Sequence, residues 1–87
     1  MLIVVTTVAL ADGGEIAPPE LIARGMGHDD ELLTELREEA QRVVSDLAAD
    51  GISEIKLLQE HLHDEVARLV YTRTGRRPMI LPVVIEV

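Results

Sequence analysis

The residues best equipped by type for chemistry lie in His61-Leu62-His63-Asp64-Glu65. Two histidines followed by carboxylates look like the start of an H-x-H-x-D-H motif, in which imidazole nitrogens and a carboxylate oxygen would hold zinc. The spacing does not support that reading. Asp64 follows the second histidine directly and no third histidine comes after it. The segment also falls inside a helical apolar stripe, where positions i and i+2 point about 200° apart and two imidazoles cannot share one ion. His61 and His63 are therefore read as solvated helix-face residues, and no metal ligand is assigned. The carboxylate runs Asp29 to Glu31 and Glu38-Glu39 are more often a solvated face than an acid/base pair. No glycine-rich phosphate loop and no nucleophile elbow is present, so the sequence offers no catalytic residue.

A second cluster is cationic, with Arg73, Arg76 and Arg77 falling within five positions. The chain as a whole is acidic, 16 Asp and Glu against 8 Lys and Arg for a formal net charge of -8. A free-standing nucleic-acid binder shows the opposite balance. Structural ion pairs or a helix cap are the plainer reading of the three arginines, and a phosphate-gripping patch is the alternative.

The elements that hold these residues must come from a short chain. Its 87 residues make one domain, which buries only roughly 60 to 65% of the surface its unfolded form exposes. Aromatic content is 1%, Tyr71 alone, so the core is built from aliphatic side chains. The absence of cysteine rules out disulfides and thiolate metal sites and agrees with a reducing cytoplasm. The opening MLIVVTTVALADG imitates a signal peptide, but no Lys or Arg precedes it and Thr6 and Thr7 interrupt it. Its β-branched residues favour a strand, and about ten residues fall short of the roughly 20 that span a bilayer, so no membrane partner is expected.

From there Asp12-Gly13-Gly14 signals a turn into a second strand around Glu15 to Arg24. Pro18 and Pro19 mark that strand as an edge or as irregular, and the first strand, free of proline, is preferred for the middle of the sheet. Leu32, Leu33, Leu36, Ala40, Val43, Val44 and Leu47 recur at helical spacing. His28, Asp29 and Asp30 supply capping and acidic groups at that helix's start. Gly51 closes the helix, with Ile52 folding back on Leu47 in a Schellman arrangement. Ser53 is expected to cap a second helix, with Ile52 and Leu57 as a hydrophobic staple. Ile55, Leu58, Leu62, Val66 and Leu69 form its stripe, which ends near Gly75. Short connections imply antiparallel helices. Met79 to Val87 then returns to strand character.

The expected fold is α+β: a two-layer β-β-α-α-β domain, a three-stranded sheet packed on an antiparallel helix pair. Two helices cover one face of a sheet, yet both faces of the first and last strands are apolar. The uncovered face is thus expected to be a contact surface, with Ile3 and Val5 of the first strand and Ile80, Pro82 and Val84 of the last as candidate interface residues. The same elements invite comparison with KH RNA-binding domains, whose clamp is a GXXG loop between the helices. Here that loop reads Ala48-Ala49-Asp50-Gly51-Ile52-Ser53, so clamping of that kind is not expected.

Two stretches carry a more specific likeness. The ending Thr74-Gly75-Arg76-Arg77-Pro78-Met79-Ile80-Leu81-Pro82-Val83-Val84-Ile85-Glu86-Val87, and the Pro-x-x-x-x-Arg-Gly element from Pro19 to Gly25, resemble the C-terminal domain of bacterial ribonuclease J. The resemblance spans essentially the whole chain, 1–87, as a single domain. It makes Arg24, Gly25 and Pro78 structural motif residues, and Met26 departs from the aromatic residue usual after Arg-Gly. It implies a parent of the metallo-β-lactamase and β-CASP type, a zinc-dependent hydrolase of the cytoplasm that cuts RNA internally and degrades it from the 5′ end toward the 3′ end. Its catalytic domains would lie before Met1, which is then an internal methionine or an introduced start. The zinc belongs to those domains and no cofactor to this one. The implied role is assembly and positioning: binding to the rest of the parent, support of a homodimer, and contact with RNA through the parent. A direct RNA-contact module using Arg73, Arg76 and Arg77 is the alternative.

Overall fold

A computed structural model describes residues 1–9, 14–25, 30–52 and 54–87, with backbone alone at 14–17. The chain runs β1 (Leu2–Ala9), β2 (Gly14–Ala23), α1 (Asp30–Ala49), α2 (Ile55–Thr74) and β3 (Ile80–Glu86). This is the expected α+β order. The sheet has the order β2-β1-β3, so the proline-free strand is central. β1 pairs antiparallel with β2 and parallel with β3.

Proline accounts for the edge position and irregularity of β2. Between Val5↔Glu20 and Thr7↔Ala17 the register slips by one residue, and Thr6 has no partner in β2. The slip falls at Pro18 and Pro19, neither of which has an N–H to donate to the ladder. Pro19 is nevertheless buried, and its carbonyl accepts a hydrogen bond from Arg37 Nε at 3.2 Å. At the far end of the hairpin Met1 and Arg24 exchange backbone bonds of 2.7 and 2.8 Å. Gly25 follows with φ +72°, a left-handed backbone that glycine adopts without penalty. The Asp12-Gly13 turn, His28, Asp29 and Met26 lie outside the described residues.

Both helices present one apolar stripe to the sheet. On α1 the buried residues are Leu32, Leu36, Ala40, Val43, Val44 and Leu47; on α2 they are Leu58, Leu62, Val66 and Val70. Ion pairs across the two, Arg42 with Glu65 at 3.7 Å and Arg73 with Glu35 at 2.8 Å, match rising positions on α1 with falling positions on α2. The helices are therefore antiparallel. Gly51, at φ +77°, ends α1 as expected: Ile52 N–H donates to Leu47 C=O and Gly51 N–H to Ala48 C=O, both at 3.0 Å, the two bonds that define a Schellman motif.

The start of α2 differs from expectation. Glu54 occupies the N-cap position without a side-chain cap bond, and Ser53 lies outside the described residues. Leu57 is 37% exposed, at odds with its expected staple role, while Leu58 is fully buried as its place in the stripe requires. At the other end Gly75 (φ 72°) caps α2, its N–H donating to Tyr71 C=O.

Candidate functional site

The core fixes which side of the sheet is covered. In β1, Leu2, Val4, Thr6 and Val8 are fully buried under the helices, so Ile3, Val5, Thr7 and Ala9 point to the other side. Register then carries this division into β3. Leu2 pairs with Ile80, Val4 with Pro82 and Thr6 with Val84, while Ile3 pairs with Leu81, Val5 with Val83 and Thr7 with Ile85. Paired residues share a face, so Ile80, Pro82 and Val84 belong to the helix side. Ile80 is 5% exposed and Val84 packs against the core.

This corrects the sequence reading, which placed Ile80, Pro82 and Val84 on the open face with Ile3 and Val5. The members that β3 contributes there are Leu81, Val83 and Ile85, 41%, 39% and 46% exposed, joined from β2 by Ile22 at 42%. Alternation separates the two sets of β3, but both are mainly hydrocarbon and Glu86 ends the inward one, so the strand itself does not show which set is inward. The signal lies in its neighbour, since only the pairing with β1 sets the phase.

A second surface lies on the other side of the sheet, in the seam between α2 and β3. There a groove of about 400 Å³ is lined by His63, Asp64, Ala67, Arg68, Tyr71, Arg77, Pro78 and Ile80. The guanidinium of Arg77 sits 4.7 Å from the Tyr71 ring centroid, a cation–π contact, and Tyr71 remains 48% exposed. Pro78, three residues past the Gly75 cap, walls the groove. Sequence reasoning missed Tyr71 and Arg68 here, because a lone aromatic and an isolated arginine have no motif.

The three clustered arginines separate. Arg73 is engaged with Glu35 of α1 and Arg77 with Tyr71, while Arg76 uses its backbone N–H to bond Thr74 Oγ1 at 3.1 Å. Arg42 bridges Glu39 and Asp46 on its own helix, and Glu39 in particular holds its guanidinium above the usual arginine value. His61 and His63 are both exposed, and His63 Nδ1 lies 3.1 Å from Asp64 Oδ1. Among the described residues no group of three or more His, Cys, Asp or Glu side chains converges as a metal site would require, so these residues do not fit a zinc centre.

Fold and surface together define a small two-layer α+β domain, clad on one face of its sheet and bare on the other. Comparison with known proteins gives the particular family. All of the chain, residues 1–87, matches the model for "Ribonuclease J C-terminal domain", and the chain belongs to that family. It is 31% identical over 74 residues to a ribonuclease J 2 of Staphylococcus epidermidis, covering 82% of this chain and 13% of that protein. It is 32% identical over 75 residues to a ribonuclease J 2 of Staphylococcus aureus, again 82% and 13%. With ribonuclease J2 of Bacillus subtilis identity is 29% over 90 residues, 100% of this chain and 16% of the relative. The chain thus spans 13% to 16% of the length of these relatives.

Proposed function

We propose that this chain is the assembly and positioning domain of a ribonuclease J-like RNA-degrading enzyme, acting through the open face of its sheet and contributing no catalytic group. The observation that supports it is the exposure of Ile22, Leu81, Val83 and Ile85 around the half-buried Ile3 and Val5 on one sheet face, in a chain whose relatives are several times longer. Covering what remains exposed of the four outermost of these side chains is worth on the order of 1 kcal/mol each. The patch amounts to a few hundred Å², less than the roughly 800 Å² per partner of a free-standing complex. Tethering supplies the difference, because a linked surface binds at an effective concentration that a free one does not reach. The face therefore docks within the parent, fixing the geometry of its RNA path and supporting its homodimer, while the isolated chain is mostly monomeric. The parent carries the zinc and works in the cytoplasm, where it cuts RNA internally and from the 5′ end.

The test is Leu81→Lys with Val83→Lys in the full ribonuclease. Both side chains are already about two-fifths exposed, so the isolated domain keeps its circular dichroism and melting behaviour. The full enzyme loses dimer on sedimentation and RNA-degrading activity falls severalfold. Unchanged assembly and activity, with the domain folded, would remove the basis of the proposal.

A further inference from the structure

From Val66 to Ile85 the sequence contains Arg68, Arg73, Arg76 and Arg77 and no acid, so that the chain's −8 divides into +4 there and −12 elsewhere. Part of that charge is matched, Arg73 by Glu35 of α1 and Arg68 by Glu65, and what remains biases a polyanion toward this stretch of the surface. The groove between α2 and β3 lies along it. Its cations are Arg68 and Arg77, its carboxylate is Asp64, and its hydrophobic wall is Ala67, Tyr71, Pro78 and Ile80. Arg68 is held loosely, 72% exposed and 3.4 Å from Glu65. A hollow that joins an aromatic ring, a guanidinium plane and an exposed, loosely paired cation matches the two needs of an unpaired nucleotide: a flat apolar base and a phosphate.

We infer that this groove is a subsite for single-stranded RNA, in which a base stacks on the Tyr71–Arg77 pair and Arg68 contacts the adjoining phosphate. Arg73, occupied by Glu35, is not part of it, which shifts the site away from the arginine cluster toward the α2–β3 seam. RNA is the form of polyanion chosen because the relatives are ribonucleases; a duplex hides its base faces and does not fit. The seam continues past His63 and Asp64 into a shallower hollow lined also by Lys56, Gln59, Glu60 and Pro82. Asp64 and Glu60 repel phosphate there, so the subsite takes only one or two nucleotides. The groove is on the helix side of the sheet, so it remains open when the other face is docked.

The experiment is fluorescence anisotropy of the chain at low ionic strength, titrated against a labelled oligoadenylate of about ten nucleotides. An abasic strand of equal length, an RNA duplex and poly-glutamate serve as controls. Saturable binding is expected, about tenfold tighter for the oligoadenylate than for the abasic strand and weakened about tenfold by Tyr71→Ala, with Tyr71→Phe close to the parent sequence. Arg68→Gln should flatten the salt slope by about 0.7, the signature of one lost phosphate contact to a single strand, whereas Arg73→Gln should leave the difference between oligoadenylate and abasic strand unchanged. Circular dichroism of each variant separates lost binding from lost fold, and the half-exposed Tyr71 leaves the core intact when replaced. Equal affinity for abasic strand, duplex or poly-glutamate, or no loss with Tyr71→Ala, would overturn the assignment. Neither result bears on the open sheet face, which is tested separately.

Discussion

Thr6 Oγ1 is buried and has no hydrogen-bond partner among the described residues, in a strand where every other inward residue is hydrocarbon. It sits opposite the Pro18-Pro19 irregularity, where β2 offers it no register partner. A buried hydroxyl left unpaired costs about 1 to 3 kcal/mol, and valine has nearly its shape. Thr6→Val is therefore expected to stabilise the chain by about 1 kcal/mol, visible as a higher urea midpoint at unchanged slope. An unchanged or lower midpoint would mean that the hydroxyl is satisfied by a group moving in solution. This position was legible only in part. The β-branched run marks Thr6 and Thr7 as strand residues, but that one of them faces the core follows from the phase of β1 against the helices, which a run of mixed Val, Ile and Thr does not reveal.

Among the elements, β3 decides between the two assignments of the open face. Ile80 pairs with Leu2 beneath the helices and Leu81 pairs with Ile3 outside them. A lysine at position 80 would place a charge in the core, with a cost of several kcal/mol; at position 81 the ammonium reaches water. Ile80→Lys is accordingly expected to unfold much of the chain at room temperature, while Leu81→Lys changes its stability by less than about 1 kcal/mol. Circular dichroism melts compare them directly, and equal losses would show that the register is misplaced. The element order, the helix pair, the Gly51 and Gly75 ends and the edge position of the proline-bearing strand were all readable from spacing and turn residues. Each is set by local chemistry: glycine for a left-handed cap, proline for a missing donor, a 3.6-residue period for one covered side. What was not readable depends on long-range pairing. The placing of Ile80, Pro82 and Val84 outside fails because a strand apolar on both sides carries no mark of its own direction, and although Arg68 and Tyr71 lie one turn apart on α2, Arg77 meets the Tyr71 ring only through the path of the segment between α2 and β3. The Glu54 cap in place of Ser53 is a shift of one residue where no side-chain bond anchors the helix start.

At the scale of the whole molecule, an aliphatic core without Phe or Trp gives a small margin of stability, and much of that core depends on β3 closing one side. Removing Ile80 to Val87 exposes one edge of β1 and uncovers α2, so the shortened chain is expected to lose cooperative melting altogether; a retained sharp transition would show that the hairpin and helices suffice. The parallel pairing of β1 with β3 has a further consequence in time. The first strand of this stretch to leave the ribosome must wait for the last before its second edge is occupied, through the synthesis of both helices. Until then its hydrocarbon is available to any passing chain, and contacts so distant in sequence form slowly. Nascent copies are thus at their most aggregation-prone just before β3 emerges, and a pause in translation shortly before β3 would do this domain more harm than one placed earlier.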